Sequence, residues 1–100
     1  MTTPLKILCI DDNEDEFVLI EGYLDSIQSA RIAYTVEWAA TYSTALERLS
    51  DTSYDVCLVD FQLGGASGLD LIREVRQNNQ NMPMILMTGH GMHDVDIEAM

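Results

Sequence analysis

Three short stretches of the chain are apolar at nearly every position instead of at every other one: residues 5–10 (LKILCI), 55–60 (DVCLVD) and 84–88 (MILMT). A strand that is apolar on both faces has to be covered on both faces, which is how parallel sheets lie between layers of helices. The segments between them supply the helices. Phe17, Ile20, Leu24 and Ile27 recur at helical spacing behind a capping pair formed by Asn13 and Glu16. Thr41 suits the N-cap of a second helix that carries Tyr42, Ala45, Leu46 and Leu49 on one side. Leu69, Ile72 and Val75 mark a third, and residues 92–100 are expected to open a fourth. Residues 34–38 (YTVEW) alternate and are rich in strand formers, which predicts an edge strand. Pro83 stands at the start of the last strand, where a missing N–H is tolerated. The order β-α-β-α-β-α-β-α with short connections predicts an α/β fold with a doubly wound parallel sheet.

One hundred residues suffice for a single domain. An apolar share of 47% with 22% charged residues is that of a globular chain able to build a core. No apolar run approaches the ~20 residues that a membrane-crossing helix needs, and with no basic patch and long apolar stretch after residues 1–4 (MTTP), no signal peptide is expected. A cytoplasmic location and no membrane contact are the expectation. Five basic against seventeen acidic residues give a net charge of −12. Such a field repels nucleic acid, so direct nucleic-acid binding is not expected, whereas cations are attracted. Cys9 and Cys57 both fall inside apolar runs and are expected to be core residues.

In an open parallel sheet, ligands sit at the carboxyl ends of the strands. There this sequence places Asp11 and Asp12 after the first strand, Asp60 at the end of the third and Thr88 at the end of the fourth. Three carboxylates brought together repel one another unless one takes a proton or a hard cation intervenes. Mg²⁺, which prefers oxygen ligands, fits that composition. A carboxylate beside such a cation also suits phosphoryl transfer, since Asp can attack phosphorus to give an acyl phosphate. A neighbouring threonine hydroxyl could hydrogen-bond a phosphate oxygen. Gly64 and Gly65 lack the lysine and spacing of a P-loop and read as a loop. The spacing of His90 and His93 lacks a third ligand and does not make a transition-metal site.

The motifs ILCIDDNED, DVCLVDFQLGGASGLDLI and MPMILMTGHG together resemble the receiver domain of bacterial two-component response regulators, from residue 5 onward. The resemblance implies a flavodoxin-like (CheY-like) fold. Its sheet would run in the order 2-1-3-4, with the family's fifth strand and fifth helix missing. It implies that Asp60 is the phosphoacceptor of a partner histidine kinase or phosphotransfer protein. Asp11, Asp12, Asp60 and the backbone carbonyl of Gln62 would bind Mg²⁺, with Mn²⁺ as an alternative, and Thr88 would be the switch hydroxyl. Gln62 and His90 would flank the path of attacking water and tune the lifetime of the phosphate.

The sequence departs from the family at three places. No residue takes the role of the lysine borne on the fifth strand, since Lys6 lies in the wrong region. Residues 1–100 are therefore expected to be one receiver domain incomplete at its C-terminus, a piece of a longer protein. With no fifth strand, the fourth is expected to present an open edge that invites a homodimer or a domain swap. Position 64 is glycine where many receivers have proline.

The leading functional expectation is a phosphoacceptor signalling domain, not an enzyme with turnover, that controls an output domain or partner protein. The alternative is a degenerate receiver that serves as a phosphorylation-independent interaction or dimerisation module. A Mg²⁺-dependent phosphohydrolase with Asp60 as nucleophile is disfavoured, because no general acid is visible beside it.

Overall fold

The strand Leu5–Ile10 (β1) is the spine of the sheet, paired in parallel on one side with Tyr34–Ala39 (β2) and on the other with Val56–Asp60 (β3). The register sets Cys9 between Trp38 and Leu58, and Ile10 between Ala39 and Val59. The structure, a computed structural model, describes residues 4–27, 33–78, 81–88 and 91–95. The helices are α1 (Glu14–Ile27), α2 (Tyr42–Asp51) and α3 (Gly68–Gln77). Two short strands, β4 (Gln62–Leu63) and β5 (Ala66–Ser67), form a hairpin after β3, and β6 (Met84–Thr88) and β7 (Gly91–Val95) complete the order. The main sheet runs β2-β1-β3-β6-β7, of which β2, β1, β3 and β6 are parallel. This is the predicted 2-1-3-4 arrangement of a flavodoxin-like fold.

The two-faced strands are covered as their composition demands. On one face Leu8, Ile10, Cys57, Val59, Met84 and Leu86 are buried with Ala45 and Leu49 of α2 and Leu71, Ile72 and Val75 of α3. On the other, Ile7, Cys9, Leu58 and Met87 are buried with Ile20 of α1, and Phe17 and Leu24 pack beside them. Cys9 and Cys57 are buried free thiols, as expected of core residues. Thr41 caps α2 by accepting from the Thr44 amide. Pro83 precedes β6, and its carbonyl accepts from the Cys57 amide at 3.0 Å. No helix among the described residues is long and apolar enough to cross a membrane.

Two expectations are corrected. Residues 92–95, the start of the stretch 92–100 expected to open a fourth helix, lie instead in β7, antiparallel to β6 with Thr88 opposite Gly91 and Leu86 opposite Val95. Residues 96–100 lie outside the described residues. Laid along β6, residues 91–95 pair with part of a sheet edge. The edge expected to be open at the fourth strand is paired in part with β7, which becomes the outer strand of the sheet. The second correction concerns Ala66, Ser67 and Gly68, expected with Gly64 and Gly65 to be a loop: Ala66 and Ser67 form β5, and Gly68 opens α3. Gly64 turns the β4–β5 hairpin with a φ of 63°, the left-handed region that glycine enters without cost.

Ser67 caps α3 by accepting from the Leu69 amide, and Gly68 then presses the helix start against the end of β3. A Cβ at Gly68 would overlap the Asp60 carbonyl oxygen and crowd Val59 Cγ1. Backbone cannot yield as a flexible side chain does. Gly68→Ala is expected to destabilise the fold by about 1–3 kcal/mol or more, measured by urea denaturation. Gly65→Ala, with nothing near the added methyl, is the control and should change stability by less than about 0.5 kcal/mol.

Candidate functional site

Because Ile10 and Val59 are register partners, one step further along two parallel strands brings Asp11 and Asp60 out side by side. Asp12 follows at the bend before α1. The sequence-predicted acids are thus brought together: ligand oxygens of Asp11, Asp12 and Asp60 lie within 4.8 Å of one another. Asp11 and Asp60 are buried, with 1% and 8% of their surface exposed, while Asp12 is exposed.

The backbone of Asp11 is fixed at both ends. Its amide donates to the Ala39 carbonyl at 3.1 Å, and its carbonyl accepts from the Trp38 indole Nε1 at 2.7 Å. Trp38 itself stacks on Phe17 of α1, ring centroids 5.4 Å apart. The Asp11 side chain accepts from the Asn13 amide at 2.9 Å, and Asn13 Oδ1 in turn caps α1 by accepting from the Asp15 amide at 2.9 Å. Asn13 therefore caps as expected, but its partner does not. The N–H that a capping box would give to Glu16 goes to Asp11 instead. Glu16, released from that duty, turns its charge on the cluster.

The electrostatics follow from this crowding. Burial pushes the Asp60 carboxyl up to about 6; the charges of Glu16 and Asp12 add to the shift, and the Phe61 and Gln62 amides restrain it. Asp11 is pushed up to about 7, first by burial and then by Glu16 and Asp60, against the pull of the Asn13 amide. Cys9, next to Asp11 in the chain, is raised to about 12 by burial and by the charges of Asp11 and Asp60. It stays a neutral thiol and offers no soft ligand. The described cations are engaged elsewhere. Lys6 Nζ lies 5.7 Å from the Tyr54 ring centroid, near the start of β1. Arg48 pairs with Glu37, Arg73 with Asp70, and Arg76 donates to the Met82 carbonyl.

Glu16 is the residue that sequence reasoning assigned only to capping. Its signal was its place four residues after Asp12 on the first turn of a helix rising from the same strand end. Gln62 opens β4, two residues past Asp60 and opposite Ser67. Thr88 ends β6, one residue beyond Met87, the register partner of Asp60. Its side chain, that of His93, and His90 as a whole lie outside the described residues. A donor set of three hard carboxylates, too close to be ionised together without cost, fits a divalent cation such as Mg²⁺.

The response regulator receiver domain family matches residues 7–100. The chain belongs to that family. It is a receiver domain of two-component response regulators, a signalling module. It is 38% identical over 96 residues to the two-component response regulator PhoP of Pseudomonas aeruginosa and 32% identical over 95 residues to the response regulator protein PilR of the same organism. These alignments cover 96% and 95% of the chain but only 40% of PhoP and 20% of PilR. The receiver thus spans well under half the length of either relative. Among solved structures, the response regulator TrrA of Thermotoga maritima in complex with Mg²⁺-BeF is 26% identical, with a TM-score of 0.73 over 86% of this chain and 72% of that one.

The raised carboxyls make the cation-free receiver sensitive to pH. Asp60 and Asp11 have folded-state values of about 6 and about 7 against 3.8 for a free aspartate. Protonation in the fold is therefore favourable, the stabilisation is complete below about pH 4, and it is lost as pH rises through 6 to 7. With divalent cations chelated, Asp60→Asn is expected to be more stable than the wild type at pH 7.5, by up to about 3 kcal/mol. The advantage should fade towards pH 4. Urea denaturation of both proteins at the two pH values checks this, and equal stability at pH 7.5 contradicts it.

Proposed function

We propose that this receiver accepts a phosphoryl group on Asp60 from a histidine kinase or a phosphotransfer protein. The phosphoryl group then shifts the conformation of the region around β6 to control an output partner or an attached output domain. The observation that carries this reading is the meeting of Asp11, Asp12 and Asp60 oxygens within 4.8 Å at the ends of β1 and β3. Asp11, Asp12, Asp60 and the Gln62 backbone carbonyl would hold Mg²⁺, or Mn²⁺ in its place. The cation would neutralise charge on the phosphoryl oxygens and on the acids around them.

The chain's own residues do the rest. The end of β3 holds the Asp60 carboxylate buried, stripped of much of its water, and one of its oxygens would attack phosphorus. The new O–P bond of the acyl phosphate forms as the donor's N–P bond breaks, and the electron pair returns to the imidazole of the donor histidine, which takes up a proton. Glu16 and Asp11 keep a second anion from entering unless it arrives charge-compensated, so an uncomplexed anion is discriminated against. Thr88, next to the register partner of Asp60, would offer its hydroxyl to a phosphoryl oxygen. The new contact biases a two-state element rather than building a new one. The cycle is one of signalling, with the acyl phosphate as the stored state and no turnover of a separate substrate. Gln62 and His90 would set how long that state lasts.

The test is intact-mass measurement after incubation with acetyl phosphate and Mg²⁺. The wild type is expected to gain the mass of one phosphoryl group, and the gain should be absent in Asp60→Asn and in the presence of a chelator. Thr88→Ala should still be modified. A wild type that binds Mg²⁺ yet gains no mass would overturn the phosphoacceptor reading in favour of a phosphorylation-independent interaction module. Continuous release of phosphate from a generic ester would instead point to hydrolytic turnover.

A further inference from the structure

Binding a cation does not by itself require the contact that Asp12 makes across the site. Its Oδ2 accepts a hydrogen bond of 2.8 Å from the backbone amide of Gly64, the residue at the turn of the β4–β5 hairpin. The two partners differ in how firmly they are held. Asp12 is an exposed side chain at a bend, and repulsion from the buried Asp60 beside it would swing it towards solvent.

The hairpin, by contrast, is fixed independently of Asp12. Its base is tied by the Phe61 amide to the Met87 carbonyl at 2.7 Å and by the Gly68 amide to the Phe61 carbonyl at 2.8 Å. Its strands pair Gln62 with Ser67 and Leu63 with Ala66. Leu63 is buried in the core cluster with Leu71 and Val59. The position of the Gly64 amide is therefore set by the fold, and Asp12 conforms to it. The donor also depends on residue type, since a proline at position 64 has no N–H to give. A carboxylate has two oxygens with about four lone-pair sites, so one amide leaves most of its capacity for a cation.

Building on the assignment of Asp11, Asp12 and Asp60 as a cation site, we propose that the Gly64 amide is a positioning donor for Asp12. It holds the exposed carboxylate against its two buried neighbours so that the site is assembled before a cation arrives. Ligands oriented by an outer shell of hydrogen bonds commonly lose affinity when that shell is removed. Here the glycine at the hairpin turn supplies that outer shell from the segment that follows Asp60.

The experiment is calorimetric titration of the chain with Mg²⁺. Gly64→Pro removes the donor, and Gly64→Asn keeps it in a residue that tolerates positive φ. Replacing the Leu63–Gly64 peptide bond by an ester removes the N–H while leaving the turn its glycine, which covers the case of a disturbed hairpin in Gly64→Pro. The ester and Gly64→Pro are expected to bind Mg²⁺ about tenfold more weakly, at the low end for loss of such a partner, and Gly64→Asn as tightly as the wild type. Wild-type affinity in the ester, with binding lost in Asp60→Asn, would overturn the positioning role and leave the cation site standing. A wild type that binds no Mg²⁺ would overturn both.

Discussion

Everything at the functional end of this domain depends on holding like charges together against their repulsion. Asp11 and Asp60 are neighbours because β1 and β3 are register partners up to Ile10 and Val59, and the backbone bonds of Asp11 to Ala39 and Trp38 leave it nowhere to go. The cost is borne by the core. Buried apolar side chains on both faces of four parallel strands fix the strand ends more firmly than two or three carboxylates can push them apart. The strain is electrostatic rather than conformational: a proton or a hard cation relieves it without moving the backbone. A site built this way is poised for a positive partner and hostile to a bare anion.

Much of this was legible in the residues. Strands apolar on both faces, such as LKILCI, require cover on both sides, and only a parallel sheet between helices gives that with connections so short. Once the sheet is parallel, acids at strand ends must share an edge, so Asp11, Asp12 and Asp60 could be placed from spacing alone. What spacing could not give was the partner of each hydrogen bond. Asn13 and Glu16 have the spacing of a capping box, but the Asn13 amide had a nearer acceptor in Asp11. Local sequence gave no weight to that competition, because it depends on how β1 leads into α1. Residues 91–95 show the same limit from the other side. Their composition is compatible with helix or strand, and pairing with β6, a long-range contact, sets them as a strand.

The two glycine positions around the hairpin carry opposite lessons. Gly68 is needed for want of space, since the Asp60 carbonyl occupies the place of its Cβ. Gly64 has open space around it but adopts a φ that most residues avoid. In sequence both read as loosening after a stiff strand. In the fold they do the reverse, one letting α3 seat directly on the end of β3 and the other turning a hairpin whose inward side chain, Leu63, is part of the core. The chain that follows Asp60 is thus a short folded element with defined contacts at base and tip.

Trp38 lies in β2 and is the only indole in the sequence. Its Nε1 is bonded to the carbonyl of Asp11 and its ring lies on Phe17 of α1. The chain therefore carries a single tryptophan one hydrogen bond away from its acidic pocket, with no second indole to dilute its signal. Emission from unlabelled protein can serve as an optical gauge of what occupies that pocket, read in real time and without altering any residue of the site.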